Sequence, residues 1–211
     1  MTEYHFSEFK PEEEKRDRVW LIIAPRGSGK SVLLLDLLYK TSKHYDFGIG
    51  MTATAETVDS FKRVLPTDMI YSNGYDYEAA DKFLEISKEL SDKKKERHGV
   101  MILDDCMFDS KVMTSKTQQA LHLNGRHYNT TIFNTTQYAM IIPPVIRSNI
   151  DYVLCLQELE LSNKRRLFEM FYGCFTSFQE FNTVFTNVTR DYGCLVLDNT
   201  TVSGRTEDVI S

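Results

Sequence analysis

A three-layer α/β/α sandwich around a largely parallel central sheet is the fold class that this 211-residue chain predicts. Short apolar runs of strand length alternate with stretches of helical period from Val19 to Leu197, the order that builds parallel sheets with helices on both faces. The run Val100–Leu103 is apolar without alternation, as expected of a strand covered on both sides. The first run, Val19-Trp20-Leu21-Ile22-Ile23, passes through a glycine-rich turn into a helix. That strand–turn–helix order is the setting of a phosphate-binding loop.

In chain order, residues 1–17 are polar and of mixed charge and read as an exposed arm, residues 18–198 as one domain, and residues 199–211 as a polar tail. Val19–Ala24 is the first strand. A helix follows from about Lys30 to Lys43, with Leu34, Leu35 and Leu38 on an apolar stripe of helical period. Phe47–Thr52 reads as a strand, and Ala55–Leu65 as a helix stopped by Pro66. Met69–Tyr71 is a short strand and Tyr77–Lys95 an amphipathic helix with Phe83, Leu84, Ile86 and Leu90 inward. Thr114–Leu123 is helical, and Thr130–Thr135 is a strand rich in β-branched residues. After Pro143-Pro144 come a strand at Tyr152–Leu156 and a helix from Leu161 to about Tyr172. Phe178–Phe185 fits helix or strand, and Cys194–Leu197 is the last strand.

The segment Ala24-Pro25-Arg26-Gly27-Ser28-Gly29-Lys30-Ser31 carries the chemistry. Backbone N–H groups of such a turn and of the helix start converge on one spot, and the helix dipole makes that spot attractive to anions. Lys30 is placed to reach the β- and γ-phosphates of a nucleotide, and the Ser31 hydroxyl to take a position on Mg²⁺. Ala24 stands where this pattern usually has its first glycine, and alanine is small enough to keep the backbone close.

Val100-Met101-Ile102-Leu103 ends in Asp104-Asp105. Ligands of parallel sheets sit at the carboxyl ends of the strands, so both motifs are expected to face one crevice. There Asp104 would hold the metal and Asp105 would align and polarise an attacking water. The strand tip Thr135-Thr136-Gln137 would set Gln137 beside the γ-phosphate as a sensor of its presence. Arg126, after Asn124-Gly125, and Arg147, after Pro143-Pro144, are the two arginines that could serve a neighbouring subunit's nucleotide, with Arg126 preferred.

The bulk numbers exclude several classes. Hydrophobic content of 42% and charged content of 26% are those of an ordinary globular chain. No apolar stretch reaches bilayer-spanning length, so stable membrane insertion is not expected. The four cysteines form no CxxC pair, which points to reduced thiols in an intracellular protein rather than a metal site. A net charge of −5 lacks the basic footprint usual for a nucleic-acid binder, but it does not exclude one, because a motor can confine its basic residues to a central pore. The clusters Lys93-Lys94-Lys95 and Lys164-Arg165-Arg166 read first as solvated helix faces.

Together, the Ala24–Ser31 loop, the Ile102–Asp105 strand end, Gly125-Arg126-His127, Thr135-Thr136-Gln137 and the Pro-Pro-x-x-Arg-x-Asn run from Pro143 to Asn149 resemble the FtsK–HerA superfamily. Within it, the compact size looks most like the poxvirus-type viral genome-packaging ATPases. That resemblance implies a RecA-like P-loop NTPase of the additional-strand type that uses ATP and Mg²⁺. It also implies a homo-oligomeric ring, pentamer or hexamer, that drives double-stranded DNA into a preformed capsid, with a capsid or portal-vertex protein as partner. The location implied is the host cytoplasm at the assembly site, or the virion. Asp-Asp replaces the Asp-Glu of many superfamily members, shortening the reach of Asp105. A small-molecule or nucleoside kinase, for which Leu161–Arg166 would have to serve as a lid, is one alternative reading. A cellular DNA-transfer ATPase of the same superfamily and an ATP-dependent assembly switch are others.

Overall fold

The buried strand β1 (Val19–Ile23) occupies the inner part of a sheet that also contains β2 (Phe47–Thr52), β3 (Ile70–Tyr71), β4 (Gly99–Asp104), β5 (Thr130–Thr136), β6 (Tyr152–Cys155) and β7 (Leu195–Asp198). The computed structural model describes residues 4–106, 109–203 and 205–211. Among these, the strand order is β3-β2-β4-β5-β1-β6-β7. All neighbours pair in parallel except β7, which runs antiparallel to β6. β5 lies between β1 and β4, so one additional strand separates the strand of the glycine-rich loop from the strand of the two aspartates.

The helices are α1 (Lys30–Thr41), α2 (Ala55–Phe61), α3 (Tyr77–Asp92), α4 (Ser110–Thr114), α5 (Lys116–Asn124), α6 (Pro144–Arg147), α7 (Leu161–Met170), α8 (Phe178–Val188) and α9 (Thr206–Val209). Alternate strand residues point to opposite faces, and the core divides accordingly. Trp20, Ile22, Ile102 and Phe133 pack with Leu34 and Leu38 of α1 and Phe61 of α2 on one face. Leu21, Met101, Ile132 and Val153 pack with Phe83 of α3, Leu121 of α5, Leu167 of α7 and Phe181 of α8 on the other. These are the three expected layers.

Several boundaries differ from the sequence reading. The helix from Ala55 closes at Phe61, and the chain turns before Pro66. The single helix expected over Thr114–Leu123 is divided at Ser115, whose hydroxyl accepts the Gln118 N–H at 3.3 Å and caps α5. The ambiguous Phe178–Phe185 segment is helical. Ser177 caps it through the Glu180 N–H at 3.2 Å, and Phe181 and Phe185, one helical turn apart, are buried.

The two ends lie against the body. The Phe9 ring sits 5.8 Å from that of Trp20 and 5.5 Å from that of Tyr152, while the Tyr4 hydroxyl donates to Glu180 at 2.8 Å. The arm is therefore not simply exposed: its few aromatics find apolar partners despite its charged composition. In the tail, Val209 and Ile210 are buried. Ile210 bridges to Leu197, and Ser211 exchanges backbone hydrogen bonds of 2.9 and 2.8 Å with Val196. This pairing covers part of the β7 edge, which would otherwise leave unpaired N–H and C=O groups. Among the described residues no helix is long and apolar enough to cross a membrane.

Candidate functional site

Every residue of β1 is buried, and the chain leaves it through Ala24, which is also buried and donates its N–H to the Thr136 carbonyl at 3.1 Å. That contact ties the loop entrance to β5 with alanine in the place of glycine. The turn then tightens: the Ser28 hydroxyl donates to the Pro25 carbonyl at 2.7 Å. Gly27 and Gly29 have φ values of 78° and 96°, a left-handed backbone that glycine adopts without the steric cost of a Cβ. Gly29 caps α1, so the helix begins at Lys30 with its N–H groups directed toward the turn.

β4 ends at Asp104, which is 2% exposed. Its two carboxylate oxygens have hydroxyl neighbours: Thr135 Oγ1 donates to Oδ1 at 2.7 Å, and Thr52 Oγ1 lies 3.3 Å from Oδ2. Thr135 in turn accepts the Asp105 N–H at 3.0 Å. The register sets this up, with Thr52 beside Asp104 on β2 and Thr135 beside it on β5. Asp105 then takes φ 50°, turning its side chain out of the strand alternation.

Lys30 Nζ lies 2.5 Å from Asp105 Oδ1, and Gln137 Nε2 lies 3.4 Å from the other oxygen, Oδ2. Both aspartates, Lys30, Ser31 and Gln137 line one cavity of about 940 Å³ at the carboxyl edge of the sheet, the upper end of the range for small-molecule sites. Pro25, Arg26, Gly27 and Gly29 line the same cavity. Ser28 instead borders an adjoining space, and Ala24 lies buried behind the loop. Ser31 and Asp104 both line this cavity and carry hard oxygen donors, the kind of set that Mg²⁺ takes together with water and phosphate oxygens.

Sequence reasoning missed part of this wall. Thr52 and Thr135 hold Asp104 in place, and Thr54, Thr57 and Ser60 also line the cavity. The available signal was a hydroxyl residue at the carboxyl end of each strand flanking the acidic one. Which of these threonines reaches the acid depends on strand order.

Arg126 is not in this cavity. It follows α5 at the amino end of β5, the opposite edge of the sheet, and pairs with Asp151. Asp151 is buried, accepts the Val19 N–H at 2.8 Å and lies 3.8 Å from Arg18. Burial raises its carboxyl pKa against the opposing pull of these partners. The Arg126 side chain remains 60% exposed. Arg147 closes α6, between the carboxyl end of β5 and the amino end of β6. Within Lys164-Arg165-Arg166, Lys164 is buried and donates to Thr186 at 3.0 Å, and Arg165 stacks 4.4 Å over the Phe178 ring. Lys164 and Arg165 thus tie α7 to α8, and Leu161–Arg166, expected as a lid in the kinase reading, forms the first part of helix α7.

Fold and site together define a phosphate-loop protein of the additional-strand class. More narrowly, the chain belongs to the poxvirus A32 protein family, which matches residues 7–171. It is 31% identical over 189 residues to Uncharacterized protein 088R of Invertebrate iridescent virus 3, covering 90% of this chain and 72% of that protein. Its fold is similar to that of B204, the DNA-packaging ATPase from Sulfolobus Turreted Icosahedral Virus. That match has a TM-score of 0.64 and 18% identity and covers 94% of this chain and 97% of that one. The genome packaging NTPase B204 from Sulfolobus turreted icosahedral virus 2, in complex with AMPPCP, superposes with a TM-score of 0.63 at 16% identity, covering 93% and 96%.

Proposed function

We propose that this protein is a viral genome-packaging ATPase that binds ATP with Mg²⁺ and couples its hydrolysis to movement of double-stranded DNA into a preformed capsid. The observation that carries this reading is the convergence of Lys30, Asp105 and Gln137 in one cavity with Ser31 and Asp104. Membership of the poxvirus A32 family and the fold shared with B204 point the same way.

The loop N–H groups and Lys30 hold the triphosphate, with Lys30 on its β- and γ-oxygens. Ser31 and Asp104 would hold Mg²⁺, which when bound would supply charge neutralisation to the phosphates. Once Lys30 engages phosphate, Asp105 accepts the proton of the attacking water. Gln137 contacts the γ-phosphate and loses that contact on hydrolysis. Arg126 lies on the edge away from its own cavity, steadied by Asp151 and largely exposed, so the nucleotide it can serve is a neighbour's. An arginine used this way requires an adjoining copy, and a ring of five or six copies around DNA, held mainly by its backbone charge and therefore sensitive to salt, would supply one. A capsid or portal-vertex protein would anchor the ring at the assembly site in the host cytoplasm or on the virion.

The test is phosphate release from ATP with and without duplex DNA, together with particle images in a non-hydrolysable ATP analogue. Free phosphate without an acceptor, stimulation by duplex and closed rings around DNA are expected. Phosphate transferred only to a small acceptor would make the protein a kinase. Turnover by monomers indifferent to DNA would remove the motor.

A further inference from the structure

Beside the phosphate loop lies a second cavity of about 460 Å³, bordered by Pro25, Arg26, Gly27 and Ser28 on one side. Its other walls include Glu158, Asp191 and Tyr192. Pro25, Arg26 and Gly27 also line the larger cavity, so the two spaces meet across the loop itself. The loop is thus the common border of the two spaces, within reach of both ends of a nucleotide whose phosphates it holds.

Tyr192 is unusual among the aromatic side chains here. It is 85% exposed, although Cδ1 of its ring lies only 3.7 Å from where a Cβ on Gly29 would stand. The ring is thus against the first turn of α1 with the rest of its surface open. The backbone is constrained to present it. Asp191 and Tyr192 have φ values of 50° and 64°, in the left-handed region that non-glycine residues seldom occupy. Gly193 follows so closely against α8 that a Cβ there would fall 2.0 Å from the Val188 carbonyl oxygen. Packing of this tight turn thus sets an uncovered aromatic ring next to the phosphate site. The facing wall is ordered, with the Glu158 carboxylate accepting the Glu160 N–H at 2.8 Å and Asn163 Nδ2 at 3.0 Å.

We propose that the Tyr192 ring is the stacking platform for the nucleobase of the bound nucleotide, in the cavity between the phosphate loop and the Asp191–Gly193 turn. This rests on the nucleotide reading above and adds to it the residue that distinguishes a nucleotide from a bare polyphosphate. Every base has a π-face, so stacking provides affinity with little choice between bases, and the larger purine rings overlap more.

The experiment compares equilibrium binding of a non-hydrolysable ATP analogue and of inorganic tripolyphosphate, both with Mg²⁺, to wild type, Tyr192→Ala and Tyr192→Phe. Tyr192→Ala should bind the analogue about 5- to 150-fold more weakly, the usual loss of one base–aromatic stack. Its tripolyphosphate affinity should be unchanged, and Tyr192→Phe should restore analogue binding. Unchanged analogue affinity in Tyr192→Ala overturns the platform and leaves the phosphate loop standing. Equal losses for both ligands overturn it too, since the ring would then only support the loop, and so does a variant that loses assembly but keeps nucleotide affinity. If wild type binds neither ligand, the nucleotide reading fails first.

Discussion

Lys30 and Asp105, 75 residues apart in the chain, meet through a 2.5 Å contact between Nζ and Oδ1. In the proposed reaction these two groups have different partners, phosphate for the lysine and water for the carboxylate. Because Gln137 takes the other carboxylate oxygen, Asp105 is engaged on both sides, and in the proposed reaction a triphosphate would draw the lysine away. Binding and activation of the acid are then linked through one ion pair.

Removing the charge of Asp105 separates the two steps. Asp105→Asn should retain nucleotide affinity and lose about 10²- to 10⁴-fold in turnover, the usual contribution of a positioned general base. Steady-state phosphate release and equilibrium nucleotide binding measure the two quantities. Unchanged turnover would remove Asp105 from the chemistry.

Lys30→Ala should act on binding. Loss of a charge-assisted contact to phosphate corresponds to about 10- to 100-fold weaker nucleotide affinity, read by calorimetric titration. Thermal stability in the absence of nucleotide should change little, because Asp105 is partly exposed and can be solvated once its partner is gone.

Thr135→Val tests the support beneath Asp104, the proposed metal ligand. The substitution keeps the side-chain shape and removes both the donor to Asp104 and the acceptor for the Asp105 N–H. Groups left unsatisfied at a buried site cost about 1–3 kcal/mol, measurable by urea unfolding. Turnover should also require more Mg²⁺ to reach half its maximum.

Arg126→Ala should lower turnover in rings without lowering nucleotide affinity. In mixtures with Lys30→Ala subunits, activity should recover only where an intact Arg126 faces an intact loop. Recovery that ignores this arrangement would leave Arg126 as no more than the ion-pair partner of Asp151.

Stability should fall on mild acidification because of His122. Its Nδ1 lies 2.8 Å from the Gln118 carbonyl oxygen, which can only accept, and its Nε2 lies 3.1 Å from Asn134 Nδ2, so the ring is neutral and fully partnered. Burial pushes its pKa down to about 4, against about 6.5 for an unfolded chain. The unfolded state therefore binds the proton first. The full contribution is present above about pH 6.5 and is lost progressively as pH falls toward 4, about 3 kcal/mol in all at about 1.4 kcal/mol per pH unit. Urea unfolding across this range should show the slope in wild type and its reduction in His122→Gln.

Much of the site was legible because its parts are short contiguous motifs. The loop from Ala24 to Ser31 and the acids Asp104-Asp105 each declare themselves within a few residues, and both must lie at carboxyl ends of parallel strands. The helix at Phe178–Phe185 was not legible in the same way. Its aromatic spacing suits either period, and only packing of Phe181 and Phe185 onto the core decided it. The roles of Thr52 and Thr135 depend on which strands flank β4. The ion pair from Arg126 to Asp151 joins residues whose nearness follows from β5 and β6 both bordering β1.

Local chemistry needs only neighbours in the chain, so the amino-acid order by itself determined the phosphate loop, the paired acids and the alternation of strand and helix. Tertiary structure alone decided that Lys30 and Gln137 share the oxygens of Asp105, that Thr135 and Thr52 flank Asp104, and that Tyr192 stands open beside Gly29. Those relations are set by strand order and by the tight turn at Gly193, which no local pattern encodes.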